Sequence, residues 1–155
     1  MSLWLALKKS FESTSVTFRT SVQGEESTSL HGDYTDDLSP EEKDAICSVL
    51  RHFDGQRYEL HGFVVMGDHV HVLVWSEENE RLENILHSGK SYSAYVLQHR
   101  FGQPGRIWQG ESFDRIVRNA KELYEKMIYI LNNPRRRWPD DQNYRWVWCK
   151  GMEWL

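Results

Sequence analysis

The run His69-Val70-His71-Val72-Leu73-Val74-Trp75 constrains this chain more than any other segment. Valines alternate with other residues at a period of two, the pattern of a strand whose faces meet different surroundings. The pleat sends Val70, Val72 and Val74 to one face and His69, His71, Leu73 and Trp75 to the other. The valines can then pack beneath helices while both imidazoles share an exposed face. Such a strand needs partners. Tyr58 to Met66 is a second strand run, and Gly67-Asp68 between the two reads as a hairpin turn.

The remaining elements follow from local signals. Val16 and Phe18 alternate with polar neighbours in a strand over 15–21. Residues 23–38 are acidic and aperiodic and read as a mobile loop. Ser39-Pro40-Glu41-Glu42 opens a helix with a capping box, running to about Phe53, where Asp54-Gly55 breaks it. Leu82, Ile85, Leu86, Tyr92, Tyr95 and Val96 mark a second helix within 80–99, ended by Gly102-Gln103-Pro104-Gly105. An aromatic, partly extended segment from Ile107 to Val117 follows. Asn119 then caps a last helix that Pro134 must end. The order β-α-β-β-α-β-α matches an α+β fold, a ferredoxin-like antiparallel sheet with an extra C-terminal helix.

At 155 residues the chain fits a single domain, 1–155. With 39% apolar and 27% charged residues it is globular in composition, and no apolar run is long enough to span a membrane. Lys8-Lys9 follow the weakly apolar start instead of preceding it, so no export signal is visible and a cytoplasmic location is expected. Cys47 and Cys149 read as reduced, packed thiols. The net charge of −4 argues mildly against a nucleic-acid partner, but its distribution reverses that impression. Residues 1–75 hold 6 Lys/Arg against 12 Asp/Glu, whereas residues 90–137 hold 10 against 4, a net +6. That segment is either a solvated face or a phosphate-binding one.

Two motifs carry chemistry. Paired imidazoles on one strand face suit a divalent metal, although a surface pair or a structural site would give the same pattern. On the last helix, about 100° per residue places Leu123, Met127, Ile130 and Leu131 on one stripe, with Tyr124 and Ile128 at its edge, so Tyr124 is expected in the core. Tyr129 sits opposite, among Glu122, Glu125, Lys126, Asn132 and Asn133, an odd place for an aromatic unless its hydroxyl is used. Asn133 lies one turn on and shares its site only if the helix persists past Pro134. A tyrosine can attack a phosphodiester when positive charge stabilises the transition state, and a metal on His69 and His71 would supply it. Arg115, Arg118, Lys126, Arg135, Arg136 and Arg137 are candidate phosphate contacts, and Trp108, Phe113, Tyr92 or Tyr95 could stack unpaired bases.

These residues resemble a known family. Phe63 to Val74 looks like the HUH motif of single-tyrosine transposases. Trp108-Gln109, Phe113-Asp114, Val117-Arg118-Asn119 and Tyr129-Ile130-Leu131-Asn132-Asn133-Pro134 resemble the REP-associated tyrosine transposase branch. The likeness extends from residue 58 to about 148, with Gly67-Asp68 where the family often has Pro-Asn. It implies a ferredoxin-like fold and metal-dependent nicking and joining of single-stranded and hairpin DNA with Mg²⁺ or Mn²⁺. His69 and His71 would be metal ligands, and Tyr129 the nucleophile that forms a 5′-phosphotyrosine link. Asn133, or alternatively Glu125, would be the third ligand. The branch implies a monomer, while related transposases include dimers that exchange the tyrosine helix. A descendant that binds hairpin or single-stranded DNA without cutting it is the alternative.

Overall fold

The computed structural model describes residues 13–20, 38–77 and 80–152. Residues 1–7 and all of the acidic stretch except Leu38 lie outside them. Eight elements follow one another: β1 (Ser13–Thr20), α1 (Pro40–His52), β2 (Tyr58–Val65), β3 (His69–Ser76), α2 (Leu82–Phe101), β4 (Trp108–Ile116), α3 (Ala120–Arg137) and β5 (Val147–Cys149). The strands form one antiparallel sheet in the order β4-β1-β3-β2-β5. Its first four positions are the ferredoxin-like arrangement read from the sequence, and β5 widens it along β2. A three-residue strand is too short to show a period, so nothing in the sequence marked β5.

Local chemistry sets the helix ends. Ser39 Oγ accepts from the Glu42 N–H at 3.2 Å while Glu42 Oε2 accepts from the Ser39 N–H at 2.8 Å, completing the capping box of α1. At the far end of α2, Gly102 adopts φ 68°, and its N–H reaches the Gln98 carbonyl. Asn119 Oδ1 accepts from the Glu122 N–H at 2.9 Å to start α3. Pro134 does not end α3: the helix runs on to Arg137. Pro134 continues the buried stripe of Leu123, Met127 and Ile130, and packing there offsets the backbone hydrogen bond that proline cannot make. Tyr124, expected in the core, is instead exposed. The stripe is narrow, and one residue around the helix already faces water.

Two cores lie on opposite faces of the sheet. Val70, Val72 and Val74 join Val16, Leu60, Phe63 and Val65 beneath α1 and α2, with Ile46, Leu50 and Leu97 above them. Val64, Met66 and Leu73 face α3, whose Leu123, Met127 and Ile130 close the second core. Leu60, Phe63 and Val65 can share a face because a bulge at His61 shifts the register between Leu60 and Gly62.

The chain beyond α3 is fastened back to α1. Lys43, only 7% exposed, points its Nζ at three rings, 5.2 Å from the Trp138 centroid, 5.5 Å from Tyr144 and 4.8 Å from Trp146. Trp138 and Tyr144 stack, and the Tyr144 hydroxyl donates to the Val65 carbonyl. Asp44 accepts from both Trp146 Nε1 and Arg145 Nη2 at 2.8 Å. β5 then lies so close to β2 that a Cβ on Gly62 would sit 2.7 Å from Cys149 Sγ and 3.2 Å from the Trp148 carbonyl oxygen. Gly62→Ala is therefore expected to cost about 1–3 kcal/mol of stability, seen as a lower urea midpoint.

Candidate active site

β3 enters the site from a turn that β1 holds in place. The Thr20 N–H donates to the Asp68 carbonyl at 2.9 Å, and the Met66 N–H donates to the His69 carbonyl at 2.8 Å. Register then sets Arg19 opposite His69 and Thr17 opposite His71 on one face of the sheet. The two imidazole centroids lie 4.9 Å apart. Neither ring is fully in the open, as the alternation alone implied, because α3 lies over the same face.

Each imidazole has its Nδ1 engaged. His69 Nδ1 is 2.6 Å from Asp68 Oδ1, and His71 Nδ1 is 2.5 Å from Thr17 Oγ1. Among the described residues neither Nε2 has a hydrogen-bond partner. Burial first, then the nearby His69, Arg19 and Lys126, push the His71 imidazole down to about 4, which keeps it neutral at pH 7. Burial alone would raise the Asp68 carboxyl, but its hydrogen bond with His69 and the charges of His69 and Arg19 hold it below the usual range. A carboxylate at one Nδ1 and a hydroxyl at the other are the kind of partners that orient imidazoles toward a cation.

Tyr129 comes to these rings from α3. It is 41% exposed, and its centroid lies 5.3 Å from that of His71, edge to face. Lys126 Nζ is 6.0 Å and the Arg136 guanidinium 5.5 Å from the Tyr129 ring. Both cations lie one or two turns from the phenol and bring positive charge to any anion that approaches its hydroxyl. Asn133 is half-buried one turn from Tyr129, on a helix that continues past it. Glu125, one turn to the other side, is exposed and lies 3.9 Å from Lys121. No three His, Cys, Asp or Glu side chains gather here among the described residues, so the local donors are two imidazoles and the helix's polar side chains.

The other candidates divide. Arg135 and Arg137 are exposed at the end of α3. Arg115 is exposed on β4 but gives its Nη2 to Glu122 Oε1 at 2.8 Å, and the Arg118 backbone N–H donates to the other Glu122 oxygen. The Arg118 N–H, then Arg115, hold the Glu122 carboxyl below its ordinary range against desolvation. Trp108 is a correction. It is 4% exposed and donates its indole N–H to Ser93 Oγ at 2.8 Å, so it packs in the core beneath α2 and offers no stacking face. The sequence showed an aromatic in a strand but not the hydroxyl, fifteen residues earlier, that receives its N–H. Thr17 and Arg19 were missed because only strand register brings them to the histidines, and Asp68, adjacent to His69, was read only as a turn residue.

The family described as "Transposase IS200 like" matches residues 34–129. A solved structure of a REP-associated tyrosine transposase bound to a REP hairpin has the same fold at a TM-score of 0.53, aligned over 83% of this chain and 69% of that one with 21% identity. No curated protein matches the chain. No described helix is long and apolar enough to cross a membrane. Trp108→Phe is expected to cost about 1 kcal/mol of stability through the lost hydrogen bond. It should leave affinity for single-stranded DNA unchanged in a filter-binding assay.

Proposed function

The chain belongs to the IS200-like transposase family, and on that premise we propose that it is a metal-dependent endonuclease and strand transferase acting on single-stranded and hairpin DNA. The single observation that carries this reading is the 5.3 Å approach of Tyr129 to His71, with His69 beside them and the Nδ1 of each imidazole already engaged. A hairpin is the substrate we favour because the fold neighbour is bound to one.

In this reading the Tyr129 hydroxyl loses its proton and its oxygen attacks the scissile phosphorus. The new P–O bond is a 5′-phosphotyrosine, the bond to the preceding 3′ oxygen breaks, and that oxygen leaves as a 3′ hydroxyl after taking up a proton. Attack by a 3′ hydroxyl reverses the step and joins strands without ATP. Lys126 and Arg136 meet phosphate oxygens beside the phenol, and Arg135, Arg137, Arg118 and the exposed part of Arg115 meet phosphates further along. His69 and His71 would hold Mg²⁺ or Mn²⁺, with Asn133 as third ligand in preference to the exposed Glu125. A bound cation would supply positive charge to the phosphoryl oxygens. Neutral His71 and the partners on both Nδ1 atoms fit that role. We take it to act as a single-domain monomer, as the branch it resembles implies.

The test is a denaturing gel of protein incubated with Mn²⁺ and labelled hairpins bearing single-stranded flanks. Wild type should give a labelled band at protein mass. Tyr129→Phe should give none while binding the same DNA, and excess EDTA should abolish the band. Salt-sensitive binding without any adduct would identify a binding-only protein, and an adduct in Tyr129→Phe would reassign the nucleophile.

A further inference from the structure

The side of the sheet that carries the histidines is only half covered. α3 packs on β2, β3 and β5, and the β1–β4 half beside it is exposed or half-buried at Ser15, Thr17, Arg19, Gln109, Glu111, Phe113 and Arg115. Register places Phe113, Thr17 and His71 directly opposite one another across β4, β1 and β3. Phe113 therefore stands in the same row as His71, two strand spacings or about 10 Å away, and Thr17 between them is the residue that holds His71 Nδ1. Its ring is 62% exposed.

An aromatic ring left in water on an otherwise polar strand face calls for an occupant. A protein partner would need a contiguous apolar centre, whereas around Phe113 this face offers Ser15, Thr17 and Arg115. A nucleobase needs only one π face. Charge agrees with that occupant: Arg19 lies on one side of the row, opposite His69, and Arg115 on the other, opposite Ser15. Arg19 lies 3.9 Å from Asp68 and Arg115 2.8 Å from Glu122, so both are oriented yet remain largely exposed. Glu111 puts a carboxylate two residues from Phe113 on β4. The other exposed aromatics are less suited. Tyr95 already stacks on His99 and Tyr92 lies against His52 and Phe53, at α1 and α2 across the sheet, while exposed Tyr124 stands on α3 and not in the row of His71.

We infer that Phe113 is the stacking platform for one unpaired base of the DNA strand that enters the Tyr129 site, with the strand lying along the row from Tyr129 past Thr17. The inference rests on the DNA reading above and adds to it a base-contacting residue outside the histidine–tyrosine cluster.

The experiment uses Tyr129→Phe protein, so that DNA stays intact, and hairpins with or without single-stranded flanks, with 2-aminopurine at successive flank positions. One position should be quenched on binding, and Phe113→Leu should remove that quenching. The same change should weaken binding of the flanked hairpin about 5- to 150-fold, the range for loss of one base–aromatic stack, while leaving the blunt hairpin unaffected. Phe113→Trp should retain both properties. Equal affinity of Phe113→Leu for flanked DNA would overturn the inference, as would an equal loss on blunt hairpins. A change from dimer to monomer on sedimentation of Phe113→Leu would assign the ring to a contact between copies and also overturn it. Failure of the parent protein to bind any of these DNAs would instead overturn the DNA reading itself.

Discussion

The pleat of β3 is the constraint on which the rest depends. As the middle strand of the sheet it is paired on both edges, so it cannot slip by one residue without exchanging its faces. Burial of Val70, Val72 and Val74 under α1 and α2 resists that exchange, because the slipped register would put two imidazoles into an apolar core. The same lock holds His69, His71 and Leu73 toward α3. The valines therefore position the histidines, although they lie on the opposite side of the sheet from the chemistry.

The second requirement is that α3 hold its rotation and height. At its start, Asn119 Oδ1 accepts from the Glu122 N–H, the Glu122 carboxylate accepts from the Arg118 N–H, and Arg115 ties Glu122 to β4. Leu123, Met127, Ile130 and Pro134 seat the apolar stripe on β2, β3 and β5. Beyond its end, Lys43 among Trp138, Tyr144 and Trp146 fixes the returning chain to α1. Tyr129 lies between these attachments on the face that looks at His71. It stays partly exposed, with Lys126 and Arg136 beside its ring.

Much of this was legible because it depended on contrasts between neighbouring residues. Period-two alternation in β3, the capping box at Ser39 and the turn at Gly67-Asp68 are local signals, and the order they define gave the ferredoxin-like arrangement. Where the contrast vanished, so did the signal. Residues 60–65 are mostly apolar on both faces, so the bulge at His61 left no mark, and β5 is too short to have a period. Pro134 followed tertiary packing instead of the local rule. Tyr124 lay at the stripe's margin, where helical geometry alone cannot decide burial. Trp108 and Lys43 were misread or missed because their partners, Ser93 and the rings at 138–146, are brought to them only by the fold. Tyr129 was legible as an aromatic on a polar helix face, but its approach to His71 needed the register of β1 and β3 as well as the seating of α3.

β3 and α3 bring two imidazoles and one phenol together, and the proposed function requires that a cation bind there. Titration of Mn²⁺ into protein labelled at histidine and tyrosine, followed by NMR, tests this without relying on any substrate. Paramagnetic broadening should strike the His69, His71 and Tyr129 side-chain signals together and first, leaving His52, His61 and Tyr58 sharp at the same metal concentration. Broadening that began at other residues, or that spared Tyr129 while reaching both histidines, would contradict the account.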